Sequence, residues 1–261
     1  MNRIDHIVIN TRDRTDQAVD YFERMGFIVA PRGHHTLGSL NHTVVFQHDY
    51  LELLGYPPGK PPEKRPELSQ RSAGLLATVL DADDADRVRA LLLQRGLAPR
   101  PVSDFSRPVE LDGKSADVAF RVTRLEPDAV PGSWFYYCQH LTPELVWRAE
   151  WQGHANGVTA MTRLAIEVAD PAAAAPIYLR AMAGAEIAET GAGRCVVHLP
   201  SFEFTLTTGT PGMRKLTFGT MSLDRCIAAL KHGGIAREIN NKVVTVDAQA
   251  EIGCIFEFEA A

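Results

Sequence analysis

The sequence has no run approaching ~18 uninterrupted apolar residues and no apolar stretch behind its Met-Asn-Arg start, so neither a spanning helix nor a secretory leader is expected. It lacks a positive balance as well: 27 Lys and Arg against 32 Asp and Glu leave a formal charge of −5, and the basic residues are scattered. Such a surface has no long-range pull on phosphate backbones or anionic lipid. Nucleic acid and membranes are therefore not expected as partners, and a cytoplasmic protein is. Cysteine is scarce. Cys138, Cys195, Cys226 and Cys254 each sit alone in an apolar stretch, which excludes a disulfide scaffold and the paired spacing of a zinc site and leaves buried reduced thiols.

What is present is enough apolar material for a sizeable core, 45% of 261 residues, and one phrase written four times. The phrase is an apolar strand, a polar turn, an amphipathic helix, a Gly stop and further short strands. The first copy is IDHIVINTRDRTDQAVDYFERMGFIVA, with Ala18, Phe22 and Met25 as the helical stripe and Gly26 as the stop. In the second, LLATVLDADDADRVRALLLQRGLAP, Asp83 or Asp84 is the N-cap and Gly96 the stop. The third, LAIEVADPAAAAPIYLRAMAGAEIA, sets Asp170 before Pro171 and ends at Gly184, and Pro176 is expected to shorten or kink its helix. The fourth, LTFGTMSLDRCIAALKHGGIARE, has Ser222 as cap and Gly233-Gly234 as stop.

Each copy reads β-α-β-β-β, an α+β module in which a curved sheet lies over one helix. The repeats place modules at 1–56 and 73–148 in an N-terminal domain, 1–150, and at 160–208 and 214–259 in a C-terminal domain, 158–261. The Pro-rich stretch 57–72 reads as an exposed linker and 152–158 as a polar joint. Two modules side by side make a barrel or half-barrel.

Paired βαβββ modules that open on Asp5-His6-Ile7-Val8 and close on Tyr50-Leu51-Glu52-Leu53-Leu54 resemble the vicinal-oxygen-chelate superfamily of glyoxalases, bleomycin-resistance proteins and extradiol dioxygenases. Within it the chain is similar to glyoxalase-like domain proteins, on HHTLGSLNHTVVF at 34–46, YLELLG at 50–55 and FYYCQHLTPELVWRAEW at 135–151 followed by His154-Ala155-Asn156-Gly157. The likeness of fold covers nearly the whole chain, and the motifs cover residues 1–157.

The resemblance implies metal ligands on the first and last strands of a module, where His6 and Glu52 fall. Imidazole and carboxylate suit a divalent ion (Fe, Mn, Zn or Ni) that leaves positions open for substrate oxygens. The other reading is a histidine and a glutamate satisfied by each other or by water. The residue twenty before the helix-stopping Gly is His6 in the first copy, but Leu76, Leu164 and Arg214 in the others. If the second module contributes a ligand, it does so from its last strand, through His140 or Gln139, with His140 the stronger donor; the other reading of His140 is a helix or turn cap near Thr142-Pro143-Glu144. His35 is the candidate acid or base. His34, Asn41, Gln139, Trp134 and Tyr136 are candidate substrate contacts, Trp147 and Trp151 adding to an aromatic lining.

In the C-terminal half, Glu203 and Glu257 have no His partner at the matching first-strand position. That half is expected to support the first domain or to form a homodimer surface. The function expected is metal-dependent lyase, isomerase or dioxygenase chemistry on a small molecule with vicinal oxygens. The competing reading is a metal-free protein that sequesters a small molecule in the same cavity.

Overall fold

Residues 4–12, dense in Ile and Val, form strand β1 (Ile4–Arg12), and the Ala18/Phe22 stripe lies on helix α1 (Thr15–Arg24). The structure, a computed structural model, describes residues 3–36, 38–111 and 114–261; Leu37 of the His-rich segment lies outside them. The first module continues through β2 (Gly33–His34), β3 (Leu40–Val45) and β4 (Tyr50–Gly55), and a short helix α2 (Glu67–Gln70) sits in the connection. The second is β5 (Gly74–Asp81), α3 (Ala85–Gln94), β6 (Ser103–Leu111), β7 (Lys114–Arg124) and β8 (Trp134–His140). The third is β9 (Val158–Val168), α4 (Pro171–Ala181), β10 (Glu186–Gly191), β11 (Arg194–Leu199) and β12 (Phe202–Thr208). The fourth is β13 (Gly212–Thr220), α5 (Leu223–His232), β14 (Glu238–Asn240), β15 (Val243–Ala248), a one-turn α6 (Gln249–Ile252) and β16 (Cys254–Ala260).

Local chemistry accounts for the helix ends. Asp84 accepts from the Arg87 N–H, Asp170 from Ala172 and Ala173, and Ser222 from Arg225, each satisfying a donor the first turn leaves open. Gly26, which stops α1, has φ of 87°, a backbone state that costs a side chain energy. Pro176 does not end its helix, which runs through it to Ala181.

The strands make two eight-stranded sheets of the same order, β2-β3-β4-β1-β5-β8-β7-β6 and β10-β11-β12-β9-β13-β16-β15-β14. In each, two modules meet across an antiparallel central pair, β1 with β5 and β9 with β13. In the first sheet the edges β2 and β6 also lie against each other, so it curls into a barrel. A separate apolar cluster that includes Val8, Leu76, Val79, Phe120, Tyr136 and Cys138 fills its inside.

The outer faces of both sheets and their helices share one larger core. Phe22 on α1 packs edge-on to Phe256 of the second sheet (ring centroids 5.5 Å), and Tyr178 on α4 does the same to Phe135 of the first (5.5 Å). Helices of each half are thus wedged on the sheet of the other. This changes the reading of the connections. The joint at 152–158 is not an exposed hinge: His154 and Asn156 are buried, and Asn156 bonds the Met25 carbonyl and the Val158 N–H. Nor is 57–72 exposed throughout, because Arg65 and Leu68 are buried.

Candidate active site

The barrel interior is lined on its polar side from β1, β3, β4, β6 and β7 and from the connection after β4. His6 lies on β1 and Glu52 on the neighbouring β4, among buried and mostly apolar strand residues. His6 Nε2 stands 3.9 Å from Glu52 Oε2, and Tyr50 stacks flat on the imidazole with ring centroids 4.4 Å apart. The other ring nitrogen, Nδ1, is 2.5 Å from Asp5 Oδ1.

Asp5 was not among the residues that sequence pointed to, since strict alternation sends it to the face opposite His6. The ladder between β1 and β5 slips between Ile4 and His6, where two steps on β1 oppose one on β5. Asp5 is the bulged residue, and a bulge re-aims a side chain. Its carboxylate then bridges two imidazoles, His6 on one side and His140, with Nε2 at 2.9 Å, on the other. Burial alone would raise the Asp5 carboxyl, but His140 and His6 outweigh it and hold it well below the usual carboxylate range.

Glu52 is also held ionised. Burial opposes this, and His6, Arg65 and a 2.6 Å hydrogen bond from Asn41 Nδ2 prevail. His35 Nε2 is 4.0 Å from Glu52 Oε1, and its Nδ1 meets Ser39 Oγ at 2.8 Å. Burial pushes His35 down to about 4, with Glu52 only partly opposing, so the ring is neutral at pH 7. The cavity has a volume of about 40 Å³ and is closed further by Phe105, Phe120, Tyr136, Cys138 and three arginines, Arg65, Arg107 and Arg124.

Of the residues expected from sequence, His6, Glu52, His35, Asn41 and Tyr136 are brought to this cavity. Others are not. His34 is exposed, because β2 alternates and buries Gly33 instead. Gln139 faces the outside of the barrel, where its side chain accepts from the Ala85 N–H at the start of α3. Trp134 is buried below the cavity with Nε1 on the Leu125 carbonyl, and Trp151 is buried in the same interior cluster. His140 lies off the cavity wall, its Nε2 on Asp5, its Nδ1 buried without a partner and its ring 4.7 Å from Trp147. Among the described residues one group of three donors closes to within 4.8 Å, namely Asp5, Cys138 and His140. The Cys138 thiol is pushed well up by burial, so it is neutral.

Arg107 carried a signal that sequence reading passed over. It is a cation between Phe105 and Val109 on the inward face of β6, where its neighbours are core. Arg65 comes from the segment read as linker and offered no such signal.

The second sheet has no comparable site among the described residues. Arg163 lies between Glu203 and Glu259, each at 3.1 Å, and Lys215 is 2.6 Å from Glu257. Cations from the protein itself occupy these carboxylates. One detail differs from expectation: Glu203 does meet a histidine, His198 at 3.1 Å, because the two face each other across β11 and β12 at the exposed surface.

The sequence model of the glyoxalase-like domain family matches residues 4–182, more than half of the chain. No curated protein matches the sequence. Among solved structures, the fold is similar to a hypothetical protein from Staphylococcus aureus (TM-score 0.76, 12% identity, all of both chains covered). It is also similar to a variant of 4-hydroxymandelate synthase from Streptomyces coelicolor (TM-score 0.63, 12% identity, 100% of this chain and 94% of that one). A third is the Mn(II)-bound glyoxalase from Novosphingobium aromaticivorans (TM-score 0.64, 10% identity, 100% and 83%). At these identities the likeness is one of fold, and the same fold carries different chemistries. With the family match spanning the first sheet and reaching into the second, the chain belongs to the glyoxalase-like domain family, within the vicinal-oxygen-chelate superfamily.

Proposed function

We propose that this chain is a divalent-metal-dependent enzyme acting on a small molecule with two neighbouring oxygens, by isomerase, lyase or dioxygenase chemistry. One observation carries the reading. His6 has Nδ1 engaged by Asp5, and its Nε2 faces a Glu52 oxygen at 3.9 Å with no hydrogen bond between them. An imidazole nitrogen and a carboxylate oxygen that face each other in a buried place without bonding directly are placed as a ligand pair for a cation between them. A carboxylate behind the far nitrogen of the imidazole is the arrangement that orients a histidine ligand.

His6 and Glu52 would hold the ion, and His140 would act behind them by locking Asp5 from its other side. When bound, the ion would gather two substrate oxygens and stabilise enolate-like charge. His35, neutral and buried at the other oxygen of Glu52, would accept or return a proton at Nε2. Phe105 and Phe120 narrow the cavity and keep bulk water from the reacting atoms. Two protein ligands hold an ion loosely, so it is expected to exchange readily.

The test is elemental analysis of protein purified without chelator, followed by titration of the stripped protein with Mn(II). Near-stoichiometric binding supports the proposal. Absence of binding, together with a ligand-induced melting shift in chelator, moves the function to metal-free sequestration.

A further inference from the structure

The cavity holds more cationic charge than the proposed chemistry uses. Glu52 is the acid among its lining residues and Asp5 lies behind His6, and both are engaged by imidazoles. Arg65 is paired with Glu67 at 2.9 Å, and Arg124 lies 5.1 Å over the Tyr136 ring. Arg107 differs from both. It is only 4% exposed, it lines the cavity, and its guanidinium makes no hydrogen bond or ion pair with a described residue, feeling Glu52 only at longer range. An unpaired guanidinium shut away from water is costly to keep, and the fold has made room for it. A Cβ on Gly33 would fall 2.6 Å from Arg107 Nη1, so β2 carries the one residue type that lets the side chain lie across the barrel seam.

We propose that the cavity binds a short organic carboxylate, with the anionic group received by the fork of Arg107. A planar guanidinium offers paired donors matched to the two oxygens of a carboxylate. His6 and Glu52 line the same narrow cavity, so the remaining oxygens of a short acid held by Arg107 would point toward them. This names the substrate class for the reaction proposed above. It rests on that reading for the chemistry alone, since Arg107 needs no metal to bind an anion.

The experiment uses the full chain stripped with chelator, at constant ionic strength, with malonate as probe. Malonamide, the same shape without charge, and inorganic phosphate are the comparisons. Malonate is expected to raise the melting temperature in a saturable way and malonamide to leave it unchanged. Arg107→Gln should weaken malonate binding at least tenfold, while melting in the absence of ligand no lower than the parent, because the unpaired buried charge is gone. Arg107→Lys, which keeps the charge and loses the fork, should fall between them and serves if the first variant does not fold. Equal shifts from malonate and malonamide, a response to phosphate alone, or parent-like affinity in the Arg107 variants would each overturn the proposal. A protein that holds Mn(II) but ignores malonate fails this inference and keeps the metal reading. One that binds malonate but no metal does the reverse.

Discussion

The N–H of Ile28 donates to Nδ1 of His154 at 3.0 Å, and this bond fixes the charge of a ring buried where the two halves join. With Nδ1 accepting, the ring proton belongs on Nε2, which gives it to the Val45 carbonyl at 3.1 Å. A second proton would have to sit on Nδ1, against the Ile28 N–H. Burial accordingly pushes His154 from its ordinary 6.5 down to about 4, the Val45 carbonyl opposing only in part. The folded-state pKa is the lower one, so between pH 6.5 and about 4 the unfolded chain binds a proton that the folded chain does not. Stability from this group is complete above 6.5 and is lost as pH falls through that window, by up to about 3 kcal/mol. Urea midpoints between pH 7 and 4.5 should fall more steeply for the parent than for His154→Gln. Parallel pH profiles would show that the ring is not held neutral.

Asp49 has the opposite sign. It is buried, one oxygen accepts weakly from the Met161 N–H at 3.4 Å, and the other has no partner. Burial pushes its carboxyl from 3.8 up to about 8, and the Met161 N–H offsets little of this. The folded state therefore holds a proton that the unfolded chain releases, and stability declines as pH rises from about 4 to about 8. Asp49→Asn removes the ionisation that the unfolded chain gains, and should stabilise the protein more at pH 7.5 than at pH 5. Thermal melts at pH 5 and 7.5 check this. The gain must be larger at the higher pH.

The modular architecture was legible because each device that writes it is local. Caps such as Asp84, Asp170 and Ser222 bond donors three residues away or nearer, and Gly26 supplies a positive φ at its own position. His6 and Glu52 stood out as polar residues inside apolar strands. The remaining parts of the cavity depend on relations no single segment contains. Asp5 reaches its place through a slip in the ladder with β5, and Arg65 through the path of a segment over the barrel. The same holds for Gln139, whose donor strength says nothing about the α3 N-terminus that takes its side chain. The burial of the joint at His154 followed from two sheets sharing one core, which composition reports only as a sum.

Gly233 tests that shared core. Sequence pairs it with Gly234 as a helix stop, but only Gly234 has positive φ, at 67°, while Gly233 has an ordinary φ of −76°. The reason for glycine at 233 is proximity: an added Cβ would lie 1.8 Å from the Arg24 carbonyl oxygen at the end of α1 in the other half. Gly233→Ala must force α5 and α1 apart. A loss of about 1–3 kcal/mol or more is expected, as for overpacking elsewhere, read as a lower denaturant midpoint with the slope unchanged. Gly59, with nothing within 4 Å of an added Cβ, has positive φ and no close neighbour. Gly59→Ala should cost less, and an equal loss in the two variants would remove the interface from the explanation.

The last prediction separates residues that would touch the ion from one that would act through Asp5. His6 and Glu52 face each other across 3.9 Å, whereas His140 gives Nε2 to Asp5 at 2.9 Å and does not line the cavity. If His6 and Glu52 hold the ion, His6→Ala and Glu52→Ala should each abolish measurable Mn(II) binding while leaving the folded circular dichroism spectrum intact. His140→Ala should weaken binding about 10–100-fold, the effect of losing a group that orients a ligand. Asp5→Asn should resemble it, because an amide can neither bridge two imidazoles as an anion nor raise the basicity of His6. Glu203→Ala and Glu257→Ala should bind like the parent, since Arg163 and Lys215 already neutralise those carboxylates at 3.1 and 2.6 Å. Titration of the stripped variants with Mn(II) decides the matter. If His140→Ala loses binding as completely as His6→Ala, His140 is itself a ligand and the ion lies nearer the group of Asp5, Cys138 and His140; if His6→Ala binds like the parent, the cation between His6 and Glu52 is a proton.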